Sequence, residues 1–426
     1  MEPKPSSSSA GHKIEPDANN NDQPMNNQNN ANNHLTSKEI PKIPTAKSVA
    51  KPSALRTQLV RWCKITVFVI AVLLARKTIQ GWMAVRHVLK CEHQVSVESL
   101  LDDTDFQQLT STWRYANRDP IIFFMNKHVI DITFNFLCNA NSFPDLMHEF
   151  VFVTLDKETR DTIAAYWPQV RQYHRPVECL QVAFKYGDPA YQVFMLFRLN
   201  FAAALVKSNV SFWMMQQDTV WRENVVELSR IGSAFGDSDL IFDRLGGVDG
   251  HKRENWMNGA NFYVRPTQGA LKFFTSAAYV LHHYYVADVA VMIMLCGSGK
   301  AKCAFFPHSQ ISCWEWLHSG NIDQPPYIIQ MDAEYAQGSK LTNIKQMGFD
   351  FVLDDGHSCN TTAVDSVRVN MEKAHRSAHS HRGRSLWQYQ WTFYWMITEY
   401  LLRIPFVSRY LYVYLPLGGY YLQMTM

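Results

Sequence analysis

Between residues 119 and 355, short apolar runs alternate with segments of helix length. Runs of four to seven apolar residues predict the buried strands Ile121–Met125, Phe150–Leu155, Val177–Ala183 and Phe212–Met215. The segments between them predict the helices Ile130–Cys138, Arg160–Trp167 and Ala190–Val206. Because strands that alternate with helices build βαβ units, the pattern predicts an α/β domain with a mostly parallel sheet.

The composition limits the class of protein. The 426 residues are 47% hydrophobic and 19% charged, with a formal net charge of +3. This supplies enough apolar material for a large core, which excludes a wholly disordered chain. The near balance of charge gives no indication of a nucleic-acid partner, because nucleic-acid binding needs a concentrated basic surface.

The first 118 residues differ from the rest of the chain. Residues 1–55 are rich in Asn, Ser and Pro, which predicts a disordered tail. Residues 59–77 contain an uncharged apolar stretch next to basic residues, which predicts a single-pass signal-anchor helix. The stretch is short for a bilayer, so an amphipathic or buried helix stays open. A slight excess of upstream lysines favours a cytoplasmic N-terminus, and residues 78–118 are then a stem.

Cysteines and sequons are compatible with a lumenal body. The sequons begin at Asn209 and Asn360, and seven of the eight cysteines follow the predicted anchor, from Cys91 to Cys359. An odd number leaves at least one cysteine unpaired or intermolecular, and the sequence leaves the connectivity open.

Polar residues that follow the predicted strand Phe212–Met215 are the first candidates for a ligand site. Ligands of α/β sheets bind outside the carboxyl ends of the strands, where Gln216 and Asp218 lie. A carboxylate there suits Mg²⁺ or Mn²⁺, although a lone aspartate after a strand is also a common turn or cap residue. A second acidic pair, Asp237 and Asp239, precedes a strand-like run, so we expect a loop there.

Several segments also follow one another in the order of a known family. They are Ile121–Cys138, Phe150–Asp156, Lys185–Tyr186, Arg198–Leu205, Phe212–Trp221 and Met257–Thr267. They resemble the nucleotide-diphospho-sugar transferase family, which is related to plant cell-wall xylosyl- and arabinosyltransferases. The resemblance covers residues 119–355 and implies a GT-A fold, a single domain with one mostly parallel sheet flanked by helices. It further implies a membrane-bound glycosyltransferase of the Golgi or endoplasmic reticulum, moving a sugar from a nucleotide-sugar donor to a glycan or protein acceptor with retention.

The family's small Gly after Asn-x is Ala260 here, and two of its three expected metal-binding positions are neutral amides. The family's D-x-D metal motif corresponds here to Gln216 and Asp218, and a late histidine corresponds to Gln330. An amide oxygen coordinates a hard cation but brings no charge, so the resemblance implies a weakened Mn²⁺ or Mg²⁺ site on Asp218, Gln216 and Gln330. Two other outcomes stay open: cationic side chains neutralise the diphosphate, or the fold has lost catalysis and binds a glycan, nucleotide or protein partner.

Further residues are assigned to the donor and acceptor. Lys185, Arg198 and Lys340 are the candidate cations for the diphosphate, with Arg favoured for bidentate contacts. By resemblance, Asn258 faces the donor sugar and Asp288 is the catalytic residue on the acceptor side.

Residues 356–426 form a basic and then aromatic extension. His375 and His379 lie in the basic part, and Trp387, Trp391 and Trp395 recur at helical spacing after it. The aromatic face suits either a membrane surface or packing on the body, and the sequence leaves both open.

Overall fold

A computed structural model describes residues 54–116, 119–224, 235–245, 256–312, 325–331, 339–372, 393–394, 396–398, 400–411 and 414–424. The predicted tail lies outside them up to residue 53, as do His375, His379 and the three tryptophans of the C-terminal extension. Residues 65–426 form one compact unit.

The central sheet has seven strands. In chain order the described strands are β1 Ile121–Met125, β2 Phe150–Thr154, β3 Arg171–His174, β4 Phe212–Met214, β5 Thr219–Trp221, β6 Leu240–Arg244, β7 Met257–Val264, β8 Cys303–Phe305, β9 Ile311–Ser312 and β10 Ile328–Gln330. The order across the sheet is β3-β2-β1-β4-β7-β6-β8, and β5, β10 and β9 form a second, three-stranded sheet. In the large sheet β7 alone runs antiparallel to its neighbours, so the predicted mostly parallel α/β fold is confirmed.

Helices cover both faces of this sheet. They are α1 Ala54–Val95, α2 Val97–Leu101, α3 Thr104–Tyr115, α4 Ile130–Ala140, α5 Pro144–Met147, α6 Lys157–Tyr166, α7 Pro189–Lys207, α8 Gln268–His283, α9 Asp288–Gly297, α10 Lys340–Gln346, α11 Thr361–Asp365 and α12 Leu415–Gln423. Strand β1 shows why its sequence is apolar throughout: Ile122 and Phe124 pack into one core cluster, while Phe123 and Met125 pack into the other. A parallel strand buried on both faces needs an apolar run instead of alternation.

The third strand differs from its prediction. The predicted strand Val177–Ala183, which includes the polar residues Glu178 and Gln181, contains only the short 3₁₀ helix Glu178–Leu180. Strand β3 is the more polar segment just before it. Strand β3 lies at the edge of the sheet with its first residue exposed, and an edge position does not need a continuous apolar run.

The segment after the predicted anchor is helical and packs on the core. The second half of α1, with α2 and α3, contributes buried residues such as Val88, Leu100 and Phe106 to the core. Helix α1 is 42 residues long, and its apolar window passes a length and composition test for a membrane span with no residue of that window buried. Helix α7 passes the same test but 72% of its window is buried, as expected of a core helix.

Candidate active site

Four of the predicted site residues meet at the carboxyl end of strand β4. Gln216 and Asp218 lie in the turn between β4 and β5, and β10 brings Gln330 beside them. The Asp218 carboxylate is buried; its Oδ1 accepts a hydrogen bond of 2.6 Å from Gln330 Nε2, and its Oδ2 pairs with the ammonium of Lys340. Lys340 is the first residue of α10, which the hydroxyl of Ser339 caps by accepting from the Thr342 amide.

A second carboxylate fixes the direction of these hydrogen bonds. Asp243, buried at the end of β6, accepts from the Asn261 amide at 2.9 Å and from Asn261 Nδ2 at 3.2 Å. Asn261 Nδ2 also donates to Gln330 Oε1 at 2.8 Å, and Gln330 Nε2 then faces Asp218 and, at 3.3 Å, Gln216 Oε1. Because ionised carboxylates only accept, the two amides between them can point in one direction only. The oxygen of Gln330 is therefore turned away from Asp218.

Asp243 and Asn261 are the site residues that the sequence analysis missed. The available signal was the single acidic residue at the end of the apolar run 240–242, the same criterion that selected Asp218. Gly259 lies beside Asp243, and its amide donates to Asp243 Oδ1 at 2.7 Å. Its φ is +75°, and a Cβ there would lie 2.7 Å from Met292 Cε. Only glycine fits such a position without strain.

Two other predicted residues form a separate pair. Arg198, in the middle of α7, and Asp288, the first residue of α9, are both buried, with Arg198 Nη1 3.5 Å from Asp288 Oδ2. Arg198 Nη2 also lies near the carbonyl oxygens of Gly259 and Ala260, at 3.4 and 3.3 Å. Both charged groups of this pair are thus held by the core.

Burial raises the pKa of Asp288 above its ordinary value, although the charge of Arg198 and the backbone amide of Val289 oppose that rise. Two tyrosines lie nearby: burial, together with the charge of Asp288, raises the pKa values of Tyr186 and Tyr191. The Tyr186 hydroxyl is buried with no hydrogen-bond partner among the described residues. A buried hydroxyl of this kind is a ready contact for a ligand.

The side chains of the remaining predicted residues form no hydrogen bond with either group among the described residues. Asn258 precedes Gly259 on β7, and its Nδ2 is buried without a hydrogen-bond partner in the described part of the chain. Lys185 is exposed, and its backbone amide donates to Asp188 at 2.8 Å; no contact in the described ranges joins its side chain to Asp218 or Asp288. Asp237 and Asp239 precede β6 in a loop, as expected. There Asp239 accepts from Thr267 and from the Lys302 amide, so it holds the loop.

The ligand set as it stands does not fit a divalent cation. Both oxygens of Asp218 are engaged, one by an amide donor and the other by an ammonium, and the oxygen of Gln330 faces Asn261. Gln216 Oε1 accepts from Gln330 as well. The grouping of His87, Cys91 and Cys179 elsewhere in the described chain does not fit a metal ion either, because its two sulfurs form a disulfide.

Part of the chain matches a known protein family. Residues 145–344 match the family model described as nucleotide-diphospho-sugar transferase. No curated protein sequence matches the chain.

The chain is similar at low identity to solved glycosyltransferase structures. The galactosyltransferase LgtC with donor and acceptor sugar analogues is 10% identical, covering 58% of this chain and 95% of its own, with a TM-score of 0.39. Mouse xyloside xylosyltransferase 1 is also 10% identical, covering 52% of this chain and all (100%) of its own, with a TM-score of 0.38. The bifunctional glycosyltransferase WbbM is 12% identical with a TM-score of 0.37; the match covers 62% of this chain and about half (52%) of WbbM. Likenesses this distant say nothing about the donor or acceptor of this chain.

The matched segment contains the elements that build the site, from α5 through α10, including Asp218, Asp243, Asn261 and Gln330. Residues 145–344, just under half of the chain, therefore match the nucleotide-diphospho-sugar transferase family, as the resemblance predicted, and the match indicates a protein of the glycosyltransferase class.

Proposed function

We propose that this protein transfers a sugar from a nucleotide-diphosphate donor to a glycan or protein acceptor, with retention of configuration at the anomeric carbon. The observation that carries the proposal is the directed hydrogen-bond chain Asp243–Asn261–Gln330–Asp218 with Lys340 at its end. It lies at the carboxyl end of β4, inside the family-matched segment, where α/β sheets bind ligands.

The chemistry of the transfer assigns roles to the two charged pairs. The bond between the anomeric carbon and the diphosphate breaks, its electron pair stays on the diphosphate oxygen, and the acceptor oxygen bonds to the sugar and loses a proton. Stabilising the charge that develops on the leaving group supplies most of the rate in such a site, and Lys340 is the cation placed for it. We assign Asp288 as the proton acceptor for the acceptor hydroxyl, and burial, which raises its pKa, makes it more basic.

Two buried polar atoms that have no hydrogen-bond partner among the described residues would bind the donor and the acceptor. We assign Asn258 Nδ2 to a hydroxyl of the donor sugar, as the resemblance implies, and the Tyr186 hydroxyl to the acceptor near Asp288. Each is buried and has its hydrogen-bonding capacity unused within the described residues, so a sugar hydroxyl would satisfy it.

The proposal also concerns which cation neutralises the diphosphate, a metal ion or one of the three predicted basic side chains. A Mn²⁺ or Mg²⁺ ion on Asp218, Gln216 and Gln330 would have to displace Lys340 and reverse the amide of Gln330. Arg198 neutralises the buried Asp288, and the exposed side chain of Lys185 contacts neither carboxylate in the described ranges. Lys340 is therefore the best supported of the three predicted diphosphate cations.

We place the protein in the secretory pathway, as a type II protein of the Golgi or endoplasmic reticulum membrane. Three disulfides join Cys91 to Cys179, Cys138 to Cys359 and Cys296 to Cys303. Disulfides persist in oxidising compartments, which favours a lumenal body. The exposed apolar part of α1 supports an anchor, and the exposed sequon residue Asn209 is accessible for a glycan.

Nucleotide binding and donor hydrolysis by the full-length protein in detergent test the proposal. We expect UDP or GDP to bind, and Asp218→Ala to weaken binding about tenfold or more, because it releases both Lys340 and Gln330. Asp237→Ala, in the exposed Asp237–Lys302 pair, is the matched control and should bind as the wild type does. A folded protein that binds neither nucleotide would contradict the proposal and favour a transferase fold that serves as a partner-binding module.

A further inference from the structure

We propose that the ammonium of Lys340 takes the place of a divalent cation, so that this protein binds its donor diphosphate without metal. The inference rests on the proposed function and specifies how that site neutralises the diphosphate. Lys340 would contact the diphosphate oxygens directly, while Asp218 and Gln330 position it.

The first argument is the direction of the hydrogen bonds. A metal ion needs lone pairs that converge on one point. Here the chain from Asp243 through Asn261 to Gln330 presents N–H groups toward Asp218, and Asp218 presents its remaining oxygen to Lys340. The site is thus organised around a cation that the protein itself supplies.

The second argument is charge. In the family's pattern, two aspartates of the D-x-D motif balance one divalent cation. In this chain Gln216 replaces the first of them, so one carboxylate remains, and it is balanced by one ammonium. The site thus loses one negative charge at residue 216, and a monovalent cation replaces the divalent one. The net charge of the site is therefore the same in both cases.

The third argument is accessibility. The Lys340 side chain is 41% exposed, whereas that of Asp218 is 6% exposed. The ammonium therefore stands between a buried anion and solvent, where an incoming diphosphate can reach it without disturbing the core. The Arg198 side chain, 5% exposed and paired with Asp288, has no such access.

The experiment is calorimetric titration of the full-length protein with UDP and GDP, once in EDTA and once with Mn²⁺. We expect the wild type to bind equally in both. Lys340→Ala should bind about tenfold or more weakly in EDTA, since it removes a charge-assisted contact, and should recover part of the affinity with Mn²⁺ because Asp218 is then free. Lys340→Arg keeps the charge and should bind in EDTA.

Lys345→Ala is the matched control. Lys345 lies on the same helix, is also 41% exposed, and pairs with an aspartate, Asp350, at 2.8 Å. It should bind as the wild type does in both buffers.

The outcomes separate the two proposals. Binding by the wild type that requires Mn²⁺ would overturn the role of Lys340 and leave the proposed function intact, as would unchanged binding by Lys340→Ala in EDTA. No binding of either nucleotide in any buffer by a protein that is folded by circular dichroism would overturn both.

Discussion

Two buried carboxylates, Asp218 and Asp288, each pair with one basic side chain, but the two pairs are built differently. The partner of Asp288 is Arg198, a residue of the core helix α7 whose side chain is 5% exposed. The partner of Asp218 is Lys340, at the start of a seven-residue helix, with its side chain 41% exposed. One pair is enclosed by protein on both sides, and the other has water on the side of its cation.

This difference teaches what each pair can do. Removing one member of an enclosed pair leaves a charge that nothing replaces, so such a pair acts as part of the core. A cation at the boundary with water can exchange partners at low cost, because solvent screens the carboxylate when the cation leaves. The two pairs therefore differ in their cations: Arg198 is held in the core, whereas Lys340 can meet a diphosphate.

Arg198→Met should have the largest effect, because it breaks the enclosed pair. We expect a loss of about 3 kcal/mol in the free energy of unfolding, since Asp288 would stay buried either uncompensated or at the cost of taking up a proton. Urea denaturation of the full chain measures it. Arg160→Met is the control, because Arg160 pairs with Asp161 on the surface. A loss equal to that of the control would show that the two pairs do not differ as described.

Asp288→Asn should have an intermediate effect that depends on pH. Burial raises the pKa of Asp288 above its ordinary 3.8, so the folded state keeps this proton at pH values where the unfolded chain has lost it. The wild type must therefore lose stability as the pH rises from about 4 through the raised pKa, and the loss is complete above it. The asparagine variant lacks this loss, and we expect it to be more stable relative to the wild type at about pH 7 than at about pH 4.

Urea denaturation at both pH values gives the comparison. Asp355→Asn is a control of opposite sign, because hydrogen bonds from Ser358 hold the pKa of the exposed Asp355 at about 2. An Asp288→Asn difference that does not change with pH would contradict the raised pKa.

The two pairs also show how far the sequence carried the prediction. Apolar runs correctly predicted strand β1 and the neighbouring strands β2 and β4. A strand buried on both faces needs apolar residues at every position, so its sequence is a continuous apolar run. The predicted strand Val177–Ala183 was wrong because only part of it is buried: Val177 and Leu180 pack on the core from a 3₁₀ turn and flanking loop, whereas Val182 is 51% exposed. The true edge strand is polar. Apolar residues indicate that a segment is buried. Burial indicates a strand only where the segment lies in the centre of a sheet.

At the site, the sequence predicts which residues follow a strand. It does not predict which strands and helices lie beside one another. Asp218 was found because it follows a strand directly, and its pairing with Lys340, 122 residues later, depends on where α10 begins in space. Asp243 directly follows the apolar run 240–242 and was missed there, and its role depends on β7 being antiparallel beside β6. Contacts of this kind depend on tertiary structure, which the spacing in one sequence does not contain.

Lys340→Ala should have the smallest effect on stability, although we expect it to have the largest on nucleotide binding. The ammonium is partly solvated, so its removal lets water reach one side of Asp218, while the hydrogen bond from Gln330 remains on the other. We expect a loss of about 0.5 to 1 kcal/mol in the free energy of unfolding, close to that of an exposed ion pair. The matched variant Lys345→Ala should lose no more than about 0.5 kcal/mol. If Lys340→Ala instead costs as much as Arg198→Met, Lys340 holds the fold and cannot leave Asp218 for a diphosphate, and the distinction between the two pairs fails.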